Sequence, residues 1–138
     1  MKKILRAIII AIIILSTLSC SSLRTYYLDE YLPELIDITT QYPYTESITV
    51  TEVSTGKTVD FTTGEEMDNI RMQFEGIECT RRDLTDNNTP SYEVCFRTTD
   101  GDVILGIAST THFIIGEYRF SSVALKLDLF YFEKLFED

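Results

Sequence analysis

A chain of 138 residues with 22 acidic against 12 basic side chains has room for one hydrophobic core and not for a second domain. Its acidity argues against nucleic-acid binding, which needs a basic face to meet phosphate. One histidine and no tryptophan leave a thin inventory of groups for an active site.

The chain opens with Lys2, Lys3 and Arg6, continues through an apolar run from Ala7 to Leu15, and ends that run in small polar residues before Cys20. This is the anatomy of an export signal. A membrane-spanning helix needs about 20 apolar residues, and Ser16 and Thr17 interrupt this run too early for that. The stretch Ser16-Thr17-Leu18-Ser19-Cys20 resembles the lipobox of bacterial lipoproteins, with Ser19 as the small residue before the cut and Thr17 where that pattern most often has leucine. The resemblance implies a signal peptide over residues 1–19 and a diacylglyceryl group on the Cys20 thiol. The expected location is the extracytoplasmic side of a cell membrane or outer membrane, since Ser21 suits both. Each buried methylene of a lipid contributes about 0.8 kcal/mol, so the domain itself has no need to insert.

Loss of residues 1–19 takes away three of the 12 basic residues and none of the 22 acidic ones, moving the formal charge from −10 to −13. Such a net charge repels anionic headgroups, keeps a tethered domain soluble, and attracts a basic protein partner in the envelope.

Residues 20–44 are expected to form the lipidated N terminus and a connector that packs partly on the domain. Within it, Tyr26, Tyr27, Leu28, Tyr31 and Leu32 precede Pro33, and Pro33 to Thr40 supports at most a short helix ahead of Pro43. Residues 45–138 are the expected domain. Ile48 and Val50, then Val59 and Phe61, alternate with polar neighbours around a turn at Ser54 to Lys57, and a hairpin pairing Val50 with Phe61 puts both apolar sets on one face.

Thr63, Gly64, Glu65 and Glu66 form a T-x-x-E capping box, and Met67, Ile70, Phe74 and Ile77 follow at helical spacing as a stripe that packs on the sheet. Tyr92, Val94 and Phe96 alternate up to Asp100-Gly101, with Val103, Leu105 and Ile107 beyond it. A two-residue turn at Asp100-Gly101 pairs Phe96 with Leu105 and Val94 with Ile107, and sets Gly106 opposite Cys95 on the far side. His112 to Ile115 and Tyr118 to Phe120 read as further strand broken at Gly116. Asp128 caps a terminal helix with Leu129, Phe132, Leu135 and Phe136 on one stripe. The fold class is therefore α+β: an antiparallel sheet of about five to seven strands with two packed helices. This order of elements behind a lipobox is similar to the small uncharacterised lipoprotein domains of Gram-positive gut bacteria. That resemblance implies no activity and no catalytic residues.

Candidate chemistry is sparse, and no cofactor is expected. His112 lies in a strand, without a nucleophile elbow near it. Asp100 with Asp102, and Glu65 and Glu66 with Asp68, are potential carboxylate pairs, but turn formation, helix capping and the helix dipole account for them. Asp83, Asp86, Asn87 and Asn88 gather oxygens in one loop without the spacing of a calcium-binding loop. A hairpin centred on Asn87 would set Cys79 opposite Cys95 for a disulfide. Patterning instead places Cys79 on the core face and Cys95 on the other, with Glu78 near Arg97 and Arg82 near Glu93, which favours free thiols. The function expected is a non-catalytic, membrane-anchored binding module, with arginines and Tyr26, Tyr27, Tyr31 and Tyr92 available for contact. A small envelope hydrolase and a structural subunit of a surface complex are the alternatives.

Overall fold

The computed structural model describes residues 24–35, 44–83 and 89–137. Its strands are β1 (Thr25–Tyr27), β2 (Thr45–Glu52), β3 (Thr58–Phe61), β4 (Glu78–Asp83), β5 (Tyr92–Thr98), β6 (Gly101–Ile107), β7 (His112–Ile115) and β8 (Tyr118–Ser122). All eight join one sheet in the order β1-β4-β8-β7-β6-β5-β2-β3, and every pairing is antiparallel. Two helices, α1 (Gly64–Met72) and α2 (Leu129–Lys134), complete an α+β domain. The count exceeds five to seven because three-residue β1 is too short to show alternation in sequence.

The meander β5 to β8 forms the middle of the sheet, where tight turns join strands of strict apolar alternation. Their inward side chains, Val94, Phe96, Leu105, Ile107, Phe113 and Phe120, are fully buried. Ile48 and Val50 extend this face into β2, and Cys79 extends it into β4. The covering layer supplies Met67 and Ile70 from α1, Phe74 and Ile77 just beyond it, Leu127, and Phe132 from α2, all in the same apolar cluster. Each large side chain so buried contributes about 1.5–3 kcal/mol of transfer free energy.

Both helix starts follow their sequence signals. The Thr63 hydroxyl accepts from the Glu66 amide at 3.3 Å, and the Glu66 carboxylate accepts from the Thr63 amide at 3.4 Å and from its hydroxyl at 2.8 Å. The Asp128 carboxylate accepts from the Phe130 amide at 3.1 Å.

The hairpin registers differ from expectation by two residues. Val50 pairs with Val59 and Ile48 with Phe61, because the turn begins at Val53 and Gly56, at φ +72°, is its last residue. Phe96 pairs with Val103 and Val94 with Leu105, since Thr99 and Asp100 make the turn while Gly101 already pairs with Thr98. The Thr98 hydroxyl closes that turn, donating to the Gly101 carbonyl and accepting from the Asp100 amide. Cys95 consequently faces Ile104, and Gly106 faces Glu93. A two-residue shift leaves every side chain on its expected face, so the apolar pattern alone does not discriminate between these registers.

A β4–β5 hairpin is not formed. β4 pairs with β8 and β1, and three strands separate it from β5. Asn87 lies outside the described residues, but Pro90 sits on the outer face of the sheet over Gly106, beside Ile114. Strands adjacent in sequence are often, but not always, neighbours in space, and here long-range pairing wins.

The segment following the proposed anchor is tied into the fold. β1 pairs with β4 in the register Thr25–Thr80, Tyr26–Cys79 and Tyr27–Glu78. A 3-10 turn over Leu28–Tyr31 then drops Leu28 and, just beyond it, Leu32 into the core. Arg71 of α1 holds the chain that follows. Its Nε donates to the Pro33 carbonyl at 2.8 Å, its Nη2 to the Leu32 carbonyl at 3.5 Å, and its Nη1 stands 3.5 Å from the Glu34 carboxylate. Pro33 to Leu35 are non-helical, and the rest of the stretch to Thr40 lies outside the described residues.

Candidate functional site

Side chains on alternate positions of neighbouring strands stack in rows across a sheet. The pairing of β1, β4 and β8 brings Tyr26, Arg81 and Tyr118 to the core-side face at one end of the sheet, since Cys79 opposes Tyr26 and Asp83 opposes Tyr118. The Arg81 guanidinium lies between two rings, its Cζ 4.7 Å from the Tyr26 centroid and 4.4 Å from that of Tyr118. Its Nη1 donates to the Tyr31 hydroxyl at 3.1 Å. Tyr31 packs against Phe120, with centroids 4.7 Å apart, and edge-on against Tyr26 at 5.9 Å, so the cluster rests on the core. Arg24 reaches over the same Tyr26 ring at 5.4 Å. Cation–π contacts of this kind contribute about 0.5–1 kcal/mol each at exposed sites and hold the planar group in place against the rings.

The opposite face at this end carries Tyr27, 48% exposed, and Arg82, directly opposite Arg119. Of the four tyrosines expected as contact residues, Tyr26 and Tyr31 thus meet and Tyr27 stands exposed. Tyr92 is buried beside Phe132 and Phe136, and burial, then the charges of Glu133 and Glu52, push its hydroxyl upward in pKa. Arg81 and Tyr118 are the members missed by sequence reasoning, because they stand 37 positions apart in the chain and nothing local announces their pairing.

The remaining candidates lie apart from this cluster. His112 is exposed in β7, its Nδ1 3.0 Å from the Thr111 hydroxyl and 3.2 Å from that of Ser109. Among the described residues no carboxylate hydrogen-bonds the ring to orient it as a triad would require. Glu66 serves the capping box, and the Thr63 hydroxyl and amide hold its carboxyl below the usual value. Asp102 pairs with Arg97 at 3.7 Å rather than with Asp100, and Arg97 does not meet Glu78. Asp83 ends β4, whereas Asp86, Asn87 and Asn88 lie outside the described residues. Among the described residues no three His, Cys, Asp or Glu side chains converge to hold a metal ion.

Cys79 and Cys95 sit on different strands and opposite faces, both as free thiols. Burial, then the charge of Glu78, push the Cys79 thiol up to about 11. Partial burial and then Asp102 also raise that of Cys95. Neither is an activated thiolate.

The expected signal peptide over residues 1–19 and Cys20, the expected lipidation residue, lie outside the described residues. Among the described residues no helix is long and apolar enough to cross a membrane. Comparison with protein-family models, with curated proteins and with solved structures returns no match.

Proposed function

We propose that the chain is a lipoprotein of the bacterial envelope, anchored by a lipid on Cys20, whose domain is a non-catalytic interaction module. The observation that carries this reading is the start of the fold itself. β1 begins at Thr25, and Arg24 already touches the Tyr26 ring, so the lipid acceptor stands four residues from the folded domain. A lipid there acts as an anchor close to the domain, in keeping with the charged and apolar sequence that precedes it.

The acidic strands at the far end of the sheet support a basic envelope protein as partner. β2, β3, β5 and β6 carry Glu46, Glu52, Asp60, Glu93 and Asp102 against Arg97. Such a field speeds encounter with an oppositely charged surface and weakens with salt.

The test has two parts. Mass analysis of the N-terminal peptide from the membrane fraction is expected to find a diacylglyceryl group on Cys20, and Cys20→Ala is expected to leave a full-length, unlipidated precursor. Normal processing and membrane retention of that variant would refute the anchor. Capture from detergent-solubilised envelope, with the lipidated chain as bait, is expected to return one basic partner that salt removes. Repeated failure at low salt, with the bait shown to be folded, would refute the interaction role.

A further inference from the structure

The eight-stranded sheet ends in two edges, β1 and β3, each of which pairs with one neighbouring strand. An unpaired edge is a template for another strand, and proteins that avoid such pairing place charges, prolines or bulges there. β3 carries Asp60. β1 reads Thr25-Tyr26-Tyr27, with no charge, no proline and no shift of register against β4.

The ladder fixes which backbone groups of β1 point outward. The Leu28 amide donates to the Ile77 carbonyl at 2.9 Å, continuing the register that pairs Tyr27 with Glu78 and Tyr26 with Cys79. Backbone groups along an antiparallel strand alternate between its two sides. Tyr26 and Leu28 therefore bond towards β4, and the N–H and C=O groups of Thr25 and Tyr27 point away from the sheet.

We propose that two copies of this chain, anchored in one membrane by the Cys20 lipid, pair antiparallel through their β1 strands about a two-fold axis at Tyr26. A two-fold contact must be complementary to itself. Here Thr25 of one copy faces Tyr27 of the other, so the outward N–H and C=O groups of both strands find partners. On the outer face Tyr27, 48% exposed, covers Thr25 of the other copy. The charges flanking the strand are unlike at its two ends, Arg24 before it and Asp29 and Glu30 in the 3-10 turn after it. Antiparallel pairing brings the Arg24 end of one copy to the acidic turn of the other. The charges of β4, Glu78, Arg81, Arg82 and Asp83, stand one strand further from the axis. The acidic β2 and β3 end of each copy lies on the far side of its sheet, away from the contact.

The pairing depends on the lipoprotein reading above, because a three-residue edge buries less surface than a dimer stable in dilute solution needs. Anchoring both copies to one surface raises their effective concentration. Three residues separate Cys20 from Arg24, so both anchors enter the membrane close to the paired strands.

The lipidated full-length protein in phosphatidylcholine vesicles is the material for the test, with Cys95→Ser to remove a partly exposed thiol, Cys79 being buried. The two Tyr27 positions are diagonal neighbours across the paired strands, about 7–8 Å apart. A bismaleimide of short reach is expected to join Tyr27→Cys into a dimer several-fold faster than Thr58→Cys on the β3 edge. Thr25→Pro removes an outward N–H at the first position of the strand, where proline is tolerated. It is expected to abolish the crosslink while hydrogen exchange shows the β1–β4 ladder intact. Arg24→Glu is expected to slow the crosslink several-fold, and Arg24→Glu with Glu30→Arg to restore it. Crosslinking at Tyr27 no faster than at Thr58, or as fast in Thr25→Pro and Arg24→Glu as in their parent, would overturn the pairing and leave the anchor reading standing. Absence of a lipid on Cys20, read from the mass of the same preparation, would instead remove the reading on which the pairing depends.

Discussion

Pro90 lies so close over Gly106 that a Cβ placed on the glycine would fall 3.2 Å from both the Pro90 Cβ and Cγ, and 3.4 Å from the Ile114 Cβ. The chain entering β5 therefore closes down on the outer face of β6, and a hydrogen there leaves room that a side chain would fill. Gly106→Val is expected to destabilise the fold by about 1–3 kcal/mol, the usual range for overpacking. Urea unfolding followed by circular dichroism would show it as a lower midpoint with an unchanged slope. An unaltered midpoint would mean that Pro90 moves aside at no cost.

Arg71 joins α1 to the segment after β1 through two backbone carbonyls and Glu34. No other residue type offers donors fanned in one plane at that reach. Arg71→Ala is expected to cost about 1.5–3 kcal/mol, the range for hydrogen bonds to charged groups. Arg71→Lys should recover a minor part of it. Hydrogen exchange would locate the effect, with amides of residues 24–35 opening faster while the β5 to β8 meander keeps its protection.

The meander and both helices were legible because their signals are local. Strict alternation from Tyr92 to Phe96 and from Val103 to Ile107 marks faces, and Thr63 with Glu66, or Asp128 alone, marks helix starts. Register was less legible, since the difference between Val50–Val59 and Val50–Phe61 depends on which turn residue adopts positive φ, and Gly56 suits more than one position. The pairing of β4 with β1 and β8 was not legible at all. Arg81, Arg82 and Asp83 carry no apolar alternation, and their partners lie far away in sequence. The tyrosine–arginine cluster shares that fate, because it exists only once those three strands are side by side.

Glu66 gives the capping box a pH dependence with a defined sign. Its carboxyl is held below its ordinary value of 4.5 by hydrogen bonds from Thr63, so the folded chain binds this proton less readily than the unfolded one. The stabilisation is therefore complete above the unfolded value and is lost as pH falls through the folded one. Thr63→Ala is expected to cost about 0.5–2 kcal/mol near neutrality. The gap between variant and parent should narrow on acidification, as the carboxylate that completes the box is neutralised. A gap that stays constant down to strongly acid pH would show that the charge on Glu66 contributes nothing.

Cys79 is fully buried at the sheet's inner face, while Cys95 faces Ile104 on the outer side and is partly exposed. A thiol reagent applied to the native, non-reduced protein is expected to modify Cys95 slowly, its thiolate being disfavoured by burial and by Asp102. Cys79 should react after unfolding and not before. Its thiol is pushed up to about 11 from 9.0, so between those values the unfolded chain has released a proton that the folded chain retains. Stability must then fall as pH rises across that window, the opposite slope from Glu66 in acid. Cys79→Ala removes the titrating group, and its unfolding midpoint should lose that part of the alkaline decline which the parent shows. If the parent and the variant decline alike, other groups govern the alkaline limb. If neither Cys79 nor Cys95 reacts in denaturant without reductant, the two are joined, and the separate strands that carry them in this fold could not stand as described.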